Sequence, residues 1–571
     1  MKKTDFVVRF AGEGGQGLLT SATAFAGAQT QVGYHTQTFA TFPSQIIGGP
    51  TWVQARVSTT EVFSRGDELD VLVAFNREAY ESHKGEVREG GVIIYDSGAF
   101  QLEDEVESLG IPFERLAKST GNNRAANFVG MGALAQLVNL PLTIFEQFNE
   151  KKYSRGRPGD EQIVAANNMA LSLGSAEADK SSLSLGQLAP PIRPEYEQVL
   201  VNGNEAICLG ACHAGLQFFV GYPISPASSI LMWMQNNLVG PDRFAYQGSS
   251  EIESITAVIG ASFAGKKAMS ATAGPGFSLM SEGLGLAWMA EIPLVIADIQ
   301  RGGPSTGLPT KTEQSDLFAV LTPSHGDIRL PVIAPGTVEE CFYAAIAAFN
   351  WAERYQGPVV LLSEHALSER QQNIRKPDLG DVTVESRQVY RGENGYQRYE
   401  ASQLSPMPIP GNPGSYVANG SEHDPTGDTT HLPIRHVQMT ERRFSKLELL
   451  KDGTYESRNT ESGIALMPWG GSKGPGRAAY EQLIAADEEI AWYYTMFLNP
   501  LPPALLDELR EKDLVIVPEL NYQGQFSAIL RSFGVRAESI TEYTGLPFKV
   551  GDLAKRVADR VRAERRESVA V

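Results

Sequence analysis

Four short stretches in the middle of the chain gather side chains that can move protons or hold anions. Ser249-Ser250-Glu251-Ile252-Glu253 puts two carboxylates where an apolar-periodic helix begins, with Ile255, Val258 and Ile259 following. A serine there can cap the helix, and acids in its first turn suit its dipole. Glu251 is either a solvated capping acid or an acid carried on a buried helix toward a partner surface. Tyr222-Pro223-Ile224-Ser225-Pro226 is a turn stiffened by two prolines that presents one hydroxyl, Ser225. Thr272-Ala273-Gly274-Pro275-Gly276-Phe277 is a second rigid turn, whose glycines permit close approach to the backbone. The fourth stretch, residues 298–314, carries Arg301, a fork donor suited to a carboxylate, and the hydroxyls of Thr306, Thr310 and Thr312. So much Gly and Pro makes it a surface excursion or a site; clustering with the others after strand ends favours a site.

Three other patterns invite chemistry. Gly12-Glu13-Gly14-Gly15-Gln16-Gly17 spells G-x-G-x-x-G between a strand and a helix, the dinucleotide pattern. That pattern needs an acid about 20 residues on to hold a ribose hydroxyl. No Asp or Glu lies between Gly14 and Thr60, and no arginine lies between Gly14 and Arg56. A tight turn packed at an interface fits better, with an anion such as coenzyme A as an intermediate possibility. His423, Asp424, Asp428 and His431 have polar ligands enough for a metal, but they sit in a Gly/Pro-rich stretch where such residues form turns. The sequence assigns no metal ligand to this chain. Cys208, Cys212 and Cys341 are too few for a disulfide framework or a four-thiolate [4Fe-4S] cluster.

The elements that must position these groups alternate between strand and helix. The predicted fold class is α/β, with several α/β domains. Residues 1–182 read as one such domain: strands at 6–10, 71–75 and 92–95, helices at 18–28 and 126–138, and a largely parallel sheet. The Ser- and Pro-rich stretch from Gly174 to Pro194 reads as a linker, assigned to residues 183–195. Residues 196–376 form a second α/β domain, with a helix at 203–216 and strands at 217–220, 268–271, 294–297 and 359–362. Residues 377–455 lose all periodicity and read as an extended, wrap-around linker. Residues 456–571 return to α/β, with strands at 464–467 and 514–517. The basic tail, residues 555–566, reads as a solvated surface helix.

The chain has 571 residues, a formal net charge of -18, 42% hydrophobic and 20% charged residues. Packed cores are feasible, and so acidic a balance argues against a nucleic-acid protein. Lys2 and Lys3 are followed by Asp5, Arg9 and Glu13 before any apolar run of signal length, and the apolar run near residues 284–296 is broken by Glu291 and Pro293. The expectation is a cytoplasmic protein with no membrane segment.

Taken together, these motifs resemble the α subunit of two-subunit 2-oxoacid:ferredoxin oxidoreductases, in the arrangement that fuses the γ domain ahead of α. The resemblance covers nearly the whole chain. Residues 12–17 and 127–134 are similar to the γ domain. Residues 222–226, the Glu251 helix, 272–280 and 301–312 are similar to the pyrimidine-binding, transketolase-like domain of thiamine diphosphate enzymes. Glu422-His423-Asp424, Arg435 and Met439, then Pro518-Glu519, Asn521, Gly524 and Gln525, are similar to its later segments, the last a transketolase-C-like domain.

The resemblance implies roles. Glu251 matches the glutamate that shares a proton with the aminopyrimidine ring of thiamine diphosphate, so that the ring's amine can remove the thiazolium proton. Tyr222, Pro223, Ile224 and Gly274 match the pyrimidine side of the cofactor site. Ser225 falls where the family usually has threonine, near the reacting oxo group. Arg301 and Thr310 match residues that hold the substrate's carboxylate end. A Gly-Asp-Gly motif, usual for diphosphate and Mg²⁺ binding, is absent from this chain, as are four cluster cysteines. Both absences agree with a separate β subunit holding diphosphate, Mg²⁺ and a [4Fe-4S] cluster in an α2β2 assembly, active only together. The implied reaction turns a 2-oxo acid, coenzyme A and oxidised ferredoxin into acyl-CoA, carbon dioxide and reduced ferredoxin; run in reverse it fixes carbon dioxide. The layout with Gly307-Leu308-Pro309-Thr310 is most similar to the 2-oxoglutarate subgroup. Pyruvate or branched-chain substrates, and a non-catalytic assembly subunit, stand as alternatives.

Overall fold

The apolar run at the start of the chain forms the strand Asp5–Glu13, seven of whose nine residues are buried. Its side chains alternate between two layers: Phe6, Val8 and Phe10 enter one apolar cluster, Val7 and Ala11 the other. Such two-sided burial is what a central strand covered by helices on both faces requires. The computed structural model describes residues 3–43, 48–103, 106–186, 188–380 and 382–569. It divides into one unit of Met1–Val201 with Arg370–Lys376 and another of Asn202–Glu369 with Pro377–Val571.

The α/β class is observed in both units, but the first sheet is not largely parallel. Its eight described strands run Ser108–Ile111, Val87–Asp96, Leu69–Ala74, Asp5–Glu13, Pro50–Ser58, His35–Thr41, Gln371–Arg375, Gln198–Asn202. The first four are parallel, whereas Asp5–Glu13, Pro50–Ser58, His35–Thr41 and Gln371–Arg375 pair antiparallel in turn. Residues 35–41 and 50–58 follow each other closely, and a short connection permits only antiparallel pairing. Their Thr and Gln content hid them from a hydrophobicity reading. Residues 371–375, read as the end of the second segment, belong to the first unit. There the Thr36 N–H donates to Asn373 Oδ1 at 2.7 Å.

Gly174 does not begin a linker. The helix Asp160–Asp179 runs through it and packs on the helix Ala126–Leu137. A Cβ on Gly174 would overlap the Val129 carbonyl, and one on Gly132 would overlap that of Leu171. Two glycines thus let two backbones touch, a use that looks identical in sequence to a helix breaker.

The second unit holds a seven-stranded sheet, ordered Phe497–Asn499, Val332–Ile333, Pro358–Glu364, Leu294–Gln300, Ala268–Thr272, Phe218–Gly221, Phe244–Gln247, and a five-stranded one around Ile464–Leu466 and Leu514–Glu519. Residues 377–455 are not a bare linker. They include the helix Pro433–Ser445, and they close over Glu291. Glu291 is fully buried. Arg442 Nε donates to it at 2.8 Å, Lys446 Nζ lies 2.9 Å away and Arg398 3.9 Å away. Burial resists ionisation of Glu291, but the three cations overcome it and hold its carboxyl well below the usual range. Burial lowers Lys446 to about 7 despite Glu291, helped by the two guanidiniums. The tail is also not wholly solvated: the helix Val550–Val569 buries Leu553, Val557 and Val561, spaced four apart, against the five-stranded sheet's core.

Two outcomes test this packing. Gly174→Ala should destabilise the protein by about 1–3 kcal/mol, because overpacking outweighs the roughly 1 kcal/mol that alanine normally gains in a helix; unchanged or raised thermal stability would refute the close crossing. Glu291→Gln strands three buried cations and should cost about 3–5 kcal/mol in urea unfolding; a loss below about 1 kcal/mol would show that the cluster does not hold the wrap-around segment.

Candidate active site

Parallel pairing brings the four motifs together. Phe244–Gln247, Phe218–Gly221, Ala268–Thr272 and Leu294–Gln300 are adjacent and parallel, in that order. The Glu251 helix, the Ser225 turn, the Gly274 turn and the Arg301 loop leave their carboxyl ends one beside the next. Open parallel sheets bind ligands at that edge.

The helix Glu251–Phe263 starts as expected, with Ser250 as its cap accepting a hydrogen bond from Glu253 N–H at 3.1 Å. The two acids then divide the alternatives read from sequence. Glu253 is the solvated capping acid, taking donors from Ser249 that lower its pKa. Glu251 is buried, 6% exposed, and no hydrogen bond or ion pair engages its carboxylate among the described residues. A Cβ on Gly276 would lie 2.6 Å from Glu251 Oε1. An acid without donors, beside space that only glycine leaves open, fits a flat ring with a basic nitrogen. That is the demand of an aminopyrimidine.

Arg301 is 8% exposed, and its Nη1 donates to the Ser225 carbonyl at 2.8 Å. The bond ties the second motif to the fourth and fixes the guanidinium at one end, while its Nε is buried with no partner. The loop beyond folds back on itself. Gly302 N–H donates to the Lys311 carbonyl at 3.0 Å and Leu308 N–H to the Gly302 carbonyl at 2.8 Å. Arg301 and Thr310 therefore flank the same loop closure. Tyr222, Pro223 and Ser225 are exposed, and Ile224, Gly274 and Thr310 are half-buried.

The loop is held from behind by the five-stranded sheet. Fully buried Gln314 donates to the Trp469 carbonyl at 2.8 Å and accepts from Leu520 N–H at 3.0 Å. Glu519, also fully buried, accepts from Phe526 N–H at 2.7 Å, Ser527 N–H at 3.0 Å and Ser539 Oγ at 3.0 Å. Those bonds set the start of the helix Gln525–Ser532, whose Gln525 donates to the Ser315 carbonyl at 2.8 Å.

Sequence reasoning passed over one pair of groups here. Asp298 lies in a strand buried along its whole length, in register with Thr272. Asp316 lies 2.7 Å from where a Cβ on Gly274 would be. The available signal was an acid inside an apolar run, Val295-Ile296-Ala297-Asp298-Ile299.

The other sequence candidates have local uses. At the first glycine loop, Gly17 has a left-handed backbone, φ 77°, and a Cβ there would meet the Asn127 amide at 2.9 Å. A Cβ on Gly12 would likewise meet the Gln16 side chain, whereas one on Gly15 would meet nothing within 4 Å. Asp424 accepts from Thr426 N–H at 2.8 Å in a turn, and Glu422 pairs with Arg443 at 2.6 Å. Among the described residues, no three His, Cys, Asp or Glu are placed to hold a metal ion, and no helix is long and apolar enough to cross a membrane. Cys208 and Cys341 are buried and Cys212 partly so, and none of the three is in a disulfide.

Comparison with known proteins agrees with this layout. Residues 7–177 match the family described as pyruvate ferredoxin/flavodoxin oxidoreductase. Residues 209–442 match its thiamine diphosphate-binding family, pyruvate flavodoxin/ferredoxin oxidoreductase. The 2-oxoglutarate oxidoreductase subunit KorA of Mycobacterium tuberculosis is 30% identical over 96% of this chain and 90% of its own. The 2-oxoacid:ferredoxin oxidoreductase 1 subunit alpha of Aeropyrum pernix is 28% identical over 98% of both chains. A solved structure, 2-oxoglutarate:ferredoxin oxidoreductase from Magnetococcus marinus with 2-oxoglutarate, coenzyme A and succinyl-CoA bound, superposes with a TM-score of 0.92 at 36% identity, over 98% of this chain and 100% of that one. The chain belongs to the 2-oxoacid:ferredoxin oxidoreductase family, as an α subunit with a thiamine diphosphate-binding domain.

Proposed function

We propose that this chain supplies the pyrimidine-side half of the active site of a 2-oxoglutarate:ferredoxin oxidoreductase, completed by a β subunit in an α2β2 assembly. The observation that carries the reading is the convergence of a buried, unengaged Glu251 with Ser225, Gly274 and Arg301 at four adjacent strand ends. Residues 1–201 with 370–376 are read as the γ domain, residues 202–369 as the pyrimidine-binding domain and residues 377–571 as the wrap and C-terminal domain.

When bound, thiamine diphosphate supplies the electron sink for cleaving the bond between carboxylate and oxo carbon. Glu251 holds and returns a proton at the ring nitrogen. Arg301, fixed by the Ser225 carbonyl, offers its remaining N–H groups to the substrate carboxylate, with the Thr310 hydroxyl beside it. The Ser225 hydroxyl donates to the oxo oxygen. A [4Fe-4S] cluster held by the β subunit would pass the two electrons released to ferredoxin, and coenzyme A would accept the acyl group.

Dependence on a β subunit, which would also hold diphosphate and Mg²⁺, is supported by two features. This chain has no Gly-Asp-Gly motif and only three cysteines. Apolar side chains are also bare around Glu251: Tyr222 is 40%, Ile252 56% and Leu279 53% exposed. Cysteines outside any disulfide suit a reducing cytoplasm. The 2-oxoglutarate preference is supported by the ligands of the Magnetococcus marinus structure.

The test is to co-express the chain with its genomic neighbour and to assay coenzyme A-dependent viologen reduction with several 2-oxo acids. Turnover fastest with 2-oxoglutarate, and none from the chain alone, is expected; inactivity with every 2-oxo acid would overturn the reading. In the same complex, Glu251→Gln should lower turnover at least about a hundredfold, the scale of a lost proton-transfer group. Near-normal turnover would remove Glu251 from the chemistry.

A further inference from the structure

We propose that Asn204 is a positioning residue for the reaction: backed by Ser229 and Glu369, it holds the turn that presents the Ser225 hydroxyl. The inference deepens the reading of Ser225 given above and rests on it. Three successive carbonyls of the turn are tied. The Ile224 carbonyl accepts from Ser228 N–H at 2.9 Å, the Ser225 carbonyl from Arg301 Nη1 at 2.8 Å and the Pro226 carbonyl from Asn204 Nδ2 at 3.0 Å. Asn204 is 1% exposed and lies on the helix Gly203–His213. No hydrogen bond engages the hydroxyl of exposed Ser225 among the described residues. The backbone of the turn is thus held from three elements while its one hydroxyl is left for a ligand.

Asn204 reaches further back. Its Nδ2 also donates to Ser229 Oγ at 2.8 Å, and Ser229 Oγ donates to Glu369 Oε1 at 3.1 Å. Both amide hydrogens are therefore used, one on the turn and one on the relay behind it. Close packing brings the relay together: a Cβ on Gly203 would lie 2.5 Å from the Leu367 carbonyl oxygen, two residues before Glu369. The helix itself needs nothing from Asn204. Asn202 accepts from Glu205 N–H at 2.8 Å and Glu205 accepts from Asn202 N–H at 3.0 Å, so its start is already capped. The acceptor half of Asn204, Oδ1, is buried with no partner. Burying an unpaired amide oxygen costs stability, and an apolar residue would avoid that cost. What an apolar residue would lose is the hold on Pro226 and Ser229.

The consequence is kinetic. Arg301 is fixed to the turn through the Ser225 carbonyl, one residue before the carbonyl that Asn204 holds. Without Asn204 the Arg301 bond remains, so capture of the substrate carboxylate should change little. The Ser225 hydroxyl loses one of the three ties on its turn. A group that must meet the oxo oxygen to within about half an ångström tolerates little drift. The turnover number should therefore fall more than KM rises. A residue that only stabilised the fold would lower the amount of active complex whether or not position 225 carried a hydroxyl.

The closing experiment uses the complex of this chain with its partner subunit and a double-mutant cycle of Asn204→Ala with Ser225→Ala. Asn204→Ala should lower kcat about tenfold, the scale of one lost hydrogen bond, with KM moving less than about twofold. In the Ser225→Ala background it should lower kcat no further. An equal loss in both backgrounds, or the parent's kcat in Asn204→Ala, overturns the inference and leaves the reading of Ser225 standing. If Ser225→Ala itself keeps the parent's kcat, both fall, because the turn then has nothing to present. Should Asn204→Ala fail to fold, Ser229→Ala puts the same question on a smaller scale. It frees one side of the Asn204 amide and should lower kcat about threefold, again only where Ser225 is present; an equal loss in both backgrounds overturns the inference. The conservative variant at the end of the relay gives a last check. Glu369→Gln still accepts from Ser229 and should lower kcat less than Glu369→Leu, whereas equal losses overturn the relay.

Discussion

The arrangement depends on parallel pairing in the centre of the second unit. Thr272 is in register with Asp298, and Phe218–Gly221 is in register with Phe244–Gln247. Once those registers are set, the carboxyl ends of four strands lie side by side, and whatever leaves them must share one edge. The register is fixed by burial: Ala268–Thr272 and Leu294–Gln300 have no exposed residue, and a slip of one position would exchange the two buried faces. The site is thus a by-product of a core that can pack in only one way. Loops supply its side chains, but apolar strands supply its geometry.

Much of this was legible in the sequence. The four motifs, the Ser250 cap and the buried strands all carried local signals: turn residues, capping residues and short apolar runs between them. What the sequence hid has a common physical cause. The strands His35–Thr41 and Gln371–Arg375 are polar, so they read as loop until the chain supplies partners from elsewhere. Gly174 reads as the start of a linker because close helix contact leaves no local trace. Most of the segment 377–455 lacks periodicity, and long-range charge, Arg398, Arg442 and Lys446 on Glu291, helps to hold it. Of the two acids in the first turn of the helix, spacing could not say which was buried. Only the neighbouring Thr272–Gly276 turn decides that.

Three buried acids of the second unit bear the cost of leaving water in three different ways. Glu291 is matched by cations. Glu519 is ringed by backbone and hydroxyl donors. Each solution serves the fold: one closes the wrap-around segment over the core, the other starts a helix that braces the Arg301 loop through Gln525. Three cations hold the Glu291 carboxyl well below the ordinary range, and the donors around Glu519 fix its orientation.

Asp298 has neither cations nor donors, and it is the one at the strand ends. The packing around it is not loose; Gln300 beside it is fully satisfied by the Ser363 carbonyl and Asp316 N–H. The same strand can therefore place hydrogen-bond partners where the fold needs them. Both oxygens of Asp298 are instead left unpaired, and burial pushes its carboxyl well above the ordinary range. Glu251, beside the Gly276 turn, is likewise buried, acidic and unengaged. Structural acids in this protein are over-satisfied and the acids at the strand ends are under-satisfied, and that difference separates the site from the scaffold without reference to any relative.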